Sequence, residues 1–157
     1  MLIVRYTDDQ HLELIVILVT GGLGFIGSHT VRALLDAGEE CVLVQRRPAQ
    51  LSPVLADTNV ALERADVADL DALRAIGKRY DISGIVHLAG SMPWPPDSSR
   101  PIEQARDALG SWFNITQVAS EWGVRRVSVA STIGVYGGSG HPAISPKTCL
   151  CHSHTRT

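Results

Sequence analysis

The segment Thr20-Gly21-Gly22-Leu23-Gly24-Phe25-Ile26-Gly27 has the residue types and the spacing to hold a phosphate anion. It follows the apolar run Leu14–Val19 and opens into Ser28–Ala37, where Val31, Leu34 and Leu35 share one helical face. The order is strand, glycine turn, helix, and each glycine has a use within it. Gly21 allows a tight turn, Gly24 lets main chain approach a pyrophosphate with no side chain between, and Gly27 lets the helix pack closely on the strand. Free N–H groups at the start of that helix and the positive end of its dipole face the same point, and Phe25 and Ile26 lie in the glycine segment that leads to it. The chemistry this implies is capture of a dinucleotide's bridging diphosphate. The plain alternative is a tight strand-to-helix connection.

A second group lies at the end of the next strand, Cys41–Gln45. In a dinucleotide fold this position meets the adenosine ribose. An acidic residue there binds the 2′-hydroxyl, and an arginine accommodates a 2′-phosphate. Here the residue is Gln45, followed by Arg46 and Arg47, a neutral amide and two guanidiniums. That set suits a phosphate better than a bare diol and predicts NADP(H) in preference to NAD(H). Alternatively, the arginines only solvate a strand end. A third cluster, Cys149-Leu150-Cys151-His152-Ser153-His154, is too crowded for the separated ligand pairs of a structural zinc site, and no metal is expected there.

The elements that must position these groups alternate along the chain. Strands are predicted over Leu14–Val19, Cys41–Gln45, Val60–Ala65, Ile82–Leu88 and Val127–Ser131. Helices are predicted over Ser28–Ala37, from the Asp69 cap through Gly77 with Leu70, Leu73 and Ile76 inward, and from Ile102 to Trp122, ended by Gly123. Pro93, Pro95, Pro96 and Pro101 make Ser91–Pro101 a loop. This alternation predicts an α/β fold, a Rossmann-type doubly wound parallel sheet in the order 3-2-1-4-5, truncated after its fifth strand. Residues 1–13 read as a leader, 14–138 as the dinucleotide-binding domain, and 139–157 as an irregular, disordered tail.

With 157 residues the chain is one domain's worth, and its 45% hydrophobic and 19% charged residues are ordinary for a globular protein. A net charge of −2 gives no basic field for nucleic acid or an anionic membrane. Leu14–Val19 falls far short of the roughly 20 apolar residues that cross a bilayer, and Asp8, Asp9 and Glu13 are wrong for a signal peptide. Three cysteines form no even disulfide framework, so a cytoplasmic location is expected.

Five stretches together resemble the extended short-chain dehydrogenase/reductase family, the NAD(P)-dependent sugar epimerases and dehydratases. Thr20 to Gly27 resembles its TGGxGFIG loop, and Asp66-Val67 the pair after strand three that contacts adenine. His87-Leu88-Ala89-Gly90 resembles the turn whose backbone borders the cofactor, and Gly123-Val124-Arg125-Arg126 the approach to strand five. Ala130 to Gly137, read Ala-Ser-Thr-Ile-Gly-Val-Tyr-Gly, resembles the SSxxVYG segment that ends that strand. The resemblance implies that Thr132 hydrogen-bonds the reacting oxygen of a small-molecule substrate such as a nucleotide sugar, and that the chain forms a homo-oligomer. His87, closing a buried strand, is expected to be structural. Ala108 stands where relatives commonly carry asparagine, ahead of Asn114.

In that family a tyrosine, with a lysine four residues on to lower its pKa, moves the hydroxyl proton. The only lysines here, Lys78 and Lys147, follow Arg74 and Ala143 at that spacing; Tyr6, Tyr80 and Tyr136 precede Gln10, Gly84 and Gly140. No such pair is present. The expectation is therefore the NAD(P)-binding portion of an epimerase, dehydratase or reductase-like oxidoreductase, inactive by itself, with a non-catalytic NADP(H) sensor as the alternative.

Overall fold

A computed structural model describes residues 16–47, 50–90 and 101–131. Five strands, β1 (Val16–Thr20), β2 (Glu40–Gln45), β3 (Ala61–Arg64), β4 (Ile82–His87) and β5 (Arg126–Val129), pair in parallel in the order β3-β2-β1-β4-β5. Three helices, α1 (Phe25–Asp36), α2 (Leu70–Gly77) and α3 (Pro101–Glu121), and a short 3-10 turn at Pro53–Leu55 connect them. The predicted strand order holds. The leader, the Ser91–Arg100 part of the proline loop and the tail lie outside the described residues.

Strand side chains alternate between faces, and here both faces are apolar because helices cover both. Leu18, Val42, Val44 and Ile85 pack with Leu73 and Ile76 of α2 and Ile115 and Val118 of α3. Val19, Cys41 and Leu43 turn the other way, onto Val31 of α1 and Leu55 of the 3-10 turn. Asp69 caps α2 as expected, its carboxylate accepting the Ala72 N–H at 3.0 Å. Arg74 of α2 grips Glu121 of α3 through both carboxylate oxygens, at 2.9 and 2.6 Å, and holds that carboxyl down at about 2. The same face of the sheet thus keeps its two helices together.

Most element ends shift by one or two residues from the sequence reading, and two of the differences have a clear local cause. Helix α1 starts at Phe25 rather than Ser28, because Gly24 is the extended cap residue and its carbonyl already accepts the Ser28 N–H at 2.8 Å. Pro101 is the first residue of α3 rather than the end of a loop; a proline there loses no hydrogen bond. Among the described residues no helix is long and apolar enough to cross a membrane.

Strand β5 ends the sheet among the described residues, and Val127 and Val129 are 36% and 46% exposed. An edge of this kind offers unpaired N–H and C=O groups beside apolar side chains. Concentration-dependent association is the expected outcome in sedimentation velocity, reduced by Val127→Lys. A monomer at every concentration would contradict it.

Candidate functional site

The strand register brings the carboxyl ends of the strands to one edge. Thr20 stands opposite Val44 on one side and His87 on the other, Gln45 opposite Arg64, and His87 opposite Val129. The glycine turn, the Gln45-Arg46 bend, the Asp66-Val67 loop and Leu88–Gly90 therefore all leave the sheet at this edge. The chain winds outward from β1 in both directions, and such a reversal point is where open parallel sheets form their ligand crevice.

The glycine turn is built by contacts between main chains. Gly21 has φ +70°, a conformation side chains disfavour, and a Cβ on it would lie 2.8 Å from the Ala89 nitrogen and the Leu88 carbonyl carbon. The turn is therefore pressed against the segment that follows β4. The Gly21 carbonyl accepts the Gly24 N–H at 3.1 Å. A Cβ on Gly27 would run into that same carbonyl and sit 2.8 Å from Gly22 Cα. Gly27 thus packs the helix onto the glycine turn, where the sequence reading had it packing on the strand.

Gly24 is different. Its φ of −70° suits any residue, and a Cβ would meet only the Gly21 oxygen, at 3.3 Å. The space in front of it is open. No side chain caps α1, and its first turn contains no acidic residue. The opening amides and the dipole are left to an anion, with Phe25 and Ile26 beside them 84% and 66% exposed. A main chain with no side chain at Gly24, backed by helix amides that no side chain caps, fits the diphosphate of a dinucleotide.

Behind the turn, two buried polar side chains close the ends of β1 and β4. The Thr20 hydroxyl and His87 Nδ1 lie 2.7 Å apart, and the Ala89 N–H donates to Thr20 Oγ1 at 3.2 Å. The Leu88 N–H donates to the Thr20 carbonyl at 3.1 Å. An arrangement that uses every group has Thr20 accept from Ala89 and donate to Nδ1, which leaves the imidazole neutral. Burial also holds the His87 ring below the usual histidine range. His87 thus braces the Thr20 side chain, which in turn holds Leu88 and Ala89, a structural latch, as expected of it. Thr20 is a functional residue whose hydroxyl the sequence reading passed over; the signal was a polar residue ending each of two adjacent apolar strands. Gly90 itself is exposed, with nothing within 4 Å of a would-be Cβ.

The outer end of this edge, beyond β2 and β3, carries the charge. Arg46 Nη1 lies 3.7 Å from Asp66 Oδ2, with side chains 63% and 39% exposed. Asp66 Oδ1 accepts the Ala68 N–H at 3.0 Å, so this residue initiates the turn that follows β3. The Val67 carbonyl accepts from the Asn114 amide of α3 at 3.0 Å, anchoring the loop from behind. Asn114 was missed as a positioning residue; its signal was an amide beside Ile115 and Val118 on a buried helix face. Gln45 is half-buried at the strand end, its carbonyl accepting the Ala65 N–H at 3.1 Å, and Arg47 is exposed. Thr132 lies outside the described residues; the Ala130 N–H bond to the His87 carbonyl, 3.2 Å, leads the chain to the same edge.

Cys41 is not a candidate nucleophile. It is buried in the core, where desolvation and the neighbouring Glu39 and Glu40 push its thiol up to about 12. Among the described residues no group of three or more acidic, histidine or cysteine side chains is placed to hold a metal ion.

The latch makes stability sensitive to acid. The folded chain keeps His87 neutral, whereas the unfolded chain takes up a proton below about pH 6.5. Its contribution is therefore complete above that pH and is lost as pH falls below it. Melting temperature is expected to drop from pH 7.5 to pH 5, and His87→Asn, whose side chain cannot titrate, is expected to flatten the drop. An equal slope in both proteins would contradict the latch.

The profile of the NAD dependent epimerase/dehydratase family matches residues 17–156. The chain is 31% identical over 133 residues to human UDP-glucose 4-epimerase, covering 77% of this chain and 38% of that one. It is 28% identical over 138 residues to the Bacillus subtilis enzyme of the same name, covering 84% and 40%. Among solved structures, UDP-glucose 4-epimerase from Bifidobacterium longum in complex with NAD+ and UDP superposes with a TM-score of 0.74 at 27% identity, covering 85% of this chain and 42% of that one. The UDP-Glc/GlcNAc 4-epimerase of Campylobacter jejuni gives 0.75 at 25% identity, covering 87% and 43%. The chain thus spans about two fifths of the length of these relatives. Its sheet order, its glycine turn and these matches agree: the chain belongs to the NAD-dependent epimerase/dehydratase family.

Proposed function

We propose that this chain is the dinucleotide-holding portion of a nucleotide-sugar epimerase or dehydratase. The open space in front of Gly24, backed by the uncapped amides of α1, carries this reading. Gly21, Gly24, Phe25, Ile26 and Gly27 would take the diphosphate, Asp66 and Val67 the adenine, and Leu88, Ala89 and Gly90 the nicotinamide side. A bound nicotinamide dinucleotide supplies a hydride acceptor. The chain's own contribution is to fix that cofactor between two clamped loops and to offer Thr132 to the oxygen of a small-molecule substrate, a nucleotide sugar. The relatives solved with NAD and UDP support both ligand classes.

At the ribose the chain offers Gln45, Arg46 and Arg47 and no carboxylate from β2. Our reading is that NADP(H) binds more tightly than NAD(H), since a guanidinium pairs with a phosphate and gains little from a diol. Among these 157 residues no tyrosine is followed four residues later by a lysine, so the role read from them is the holding of the dinucleotide.

Titration followed by reduced-nicotinamide fluorescence is expected to show saturable binding of both NADPH and NADH, tighter for NADPH. Equal affinities would remove the argument from Arg46. Gly24→Val is expected to keep the fold, since the backbone there suits valine and the space is open, yet to weaken both ligands at least tenfold by filling that space. Unchanged affinity in a folded Gly24→Val protein would place the diphosphate elsewhere.

A further inference from the structure

Arg46 and Asp66 leave different strands and meet across the outer rim of the adenosine side, and the two ends of this ion pair are not equally free. Asp66 is pinned: Oδ1 accepts the Ala68 N–H at 3.0 Å, and the next residue's carbonyl is held by Asn114 at 3.0 Å. Arg46 sits in the bend that follows β2, and its guanidinium approaches Asp66 Oδ2 only to 3.7 Å. An exposed pair at that distance is weak and easily exchanged for a better partner.

We propose that Asp66 is a specificity-determining residue that opposes Arg46, restraining the site's preference for a 2′-phosphorylated dinucleotide. This rests on the dinucleotide reading given above. A 2′-phosphate that engages Arg46 takes the place of a carboxylate that cannot swing away, because the Ala68 bond fixes it. The phosphate and Asp66 are then two anions competing for one guanidinium, well inside the roughly 8 Å over which physiological salt leaves charges interacting. A 2′-hydroxyl meets no such repulsion and can donate to a carboxylate. Arg46 favours the phosphate and Asp66 disfavours it, so the pair sets a small net preference. Neither residue acts on the unphosphorylated ligand to the same degree.

The adenine, ribose and diphosphate are common to NADPH and NADH, so any general effect on the binding of that shared part cancels in the ratio of their dissociation constants. Asp66→Asn keeps an oxygen for the Ala68 N–H and removes only the charge. Fluorescence and calorimetric titrations of the full chain with each ligand are expected to show the preference for NADPH rising about two- to fivefold in Asp66→Asn at low ionic strength, the range of an exposed charge pair, and the gain shrinking in high salt. Arg46→Met is expected to lower the preference, and if the asparagine variant does not fold, Asp66→Ser, whose hydroxyl can still accept the Ala68 N–H, is expected to raise it in the same way. Both ligands binding to Asp66→Asn with an unaltered ratio would overturn the role of Asp66. An unaltered ratio in Arg46→Met would do the same for the pair. Binding of neither dinucleotide to the unaltered protein would overturn the dinucleotide reading itself, and this inference with it.

Discussion

The close approach of two main chains, at Gly21 and at Leu88-Ala89, is the constraint on which the site depends. A single Cβ at Gly21 would come within 2.8 Å of the facing backbone, a separation that real side chains do not tolerate. That contact binds the turn after β1 to the segment after β4, the two neighbours between which the sheet reverses direction. The crevice at the switch point is therefore no gap left by imperfect packing. It is bounded by loops whose separation is fixed by covalent geometry, and Gly27 repeats the device by seating α1 against the Gly21 carbonyl. Gly24 alone among these three is spared steric work, which is what leaves the space in front of it open.

The polar groups at this edge fall into two kinds. Thr20 and His87 are buried and mutually satisfied, and with the Ala89 amide they form a closed set in which a proton would be costly. Such a set holds a loop in register. Arg46 and Asp66 are exposed and loosely joined, so their pairing is easily altered by an incoming charged group. The inner groups fix the backbone at this edge, while the outer ones keep a loose pairing at its rim.

The matched region runs from residue 17 to residue 156, and the strand order and glycine contacts follow from the coordinates alone. The chain spans about two fifths of the length of the relatives it matches. What the described residues account for is the holding of a dinucleotide.

Much of this architecture was legible in the chain itself, because its signals are local. Apolar runs of strand length, alternating with amphipathic helical segments, determine the parallel sheet and its order, and Asp69 announces its helix one residue ahead. Glycine spacing between a strand and a helix marks the anion site for the same reason. Tertiary structure decided whatever depends on residues distant in sequence meeting in space. Thr20 and His87 are separated by 67 positions, Asn114 and Val67 by 47, and no periodicity connects either pair. The partner of Gly27 was misjudged because its closest neighbour is set by how the turn folds back, not by the helix pattern. Arg46 was read from sequence as a free cation; only the register of β2 with β3 puts the Asp66 carboxylate beside it. A sequence specifies which groups are available, and pairing across strands specifies which of them confront one another.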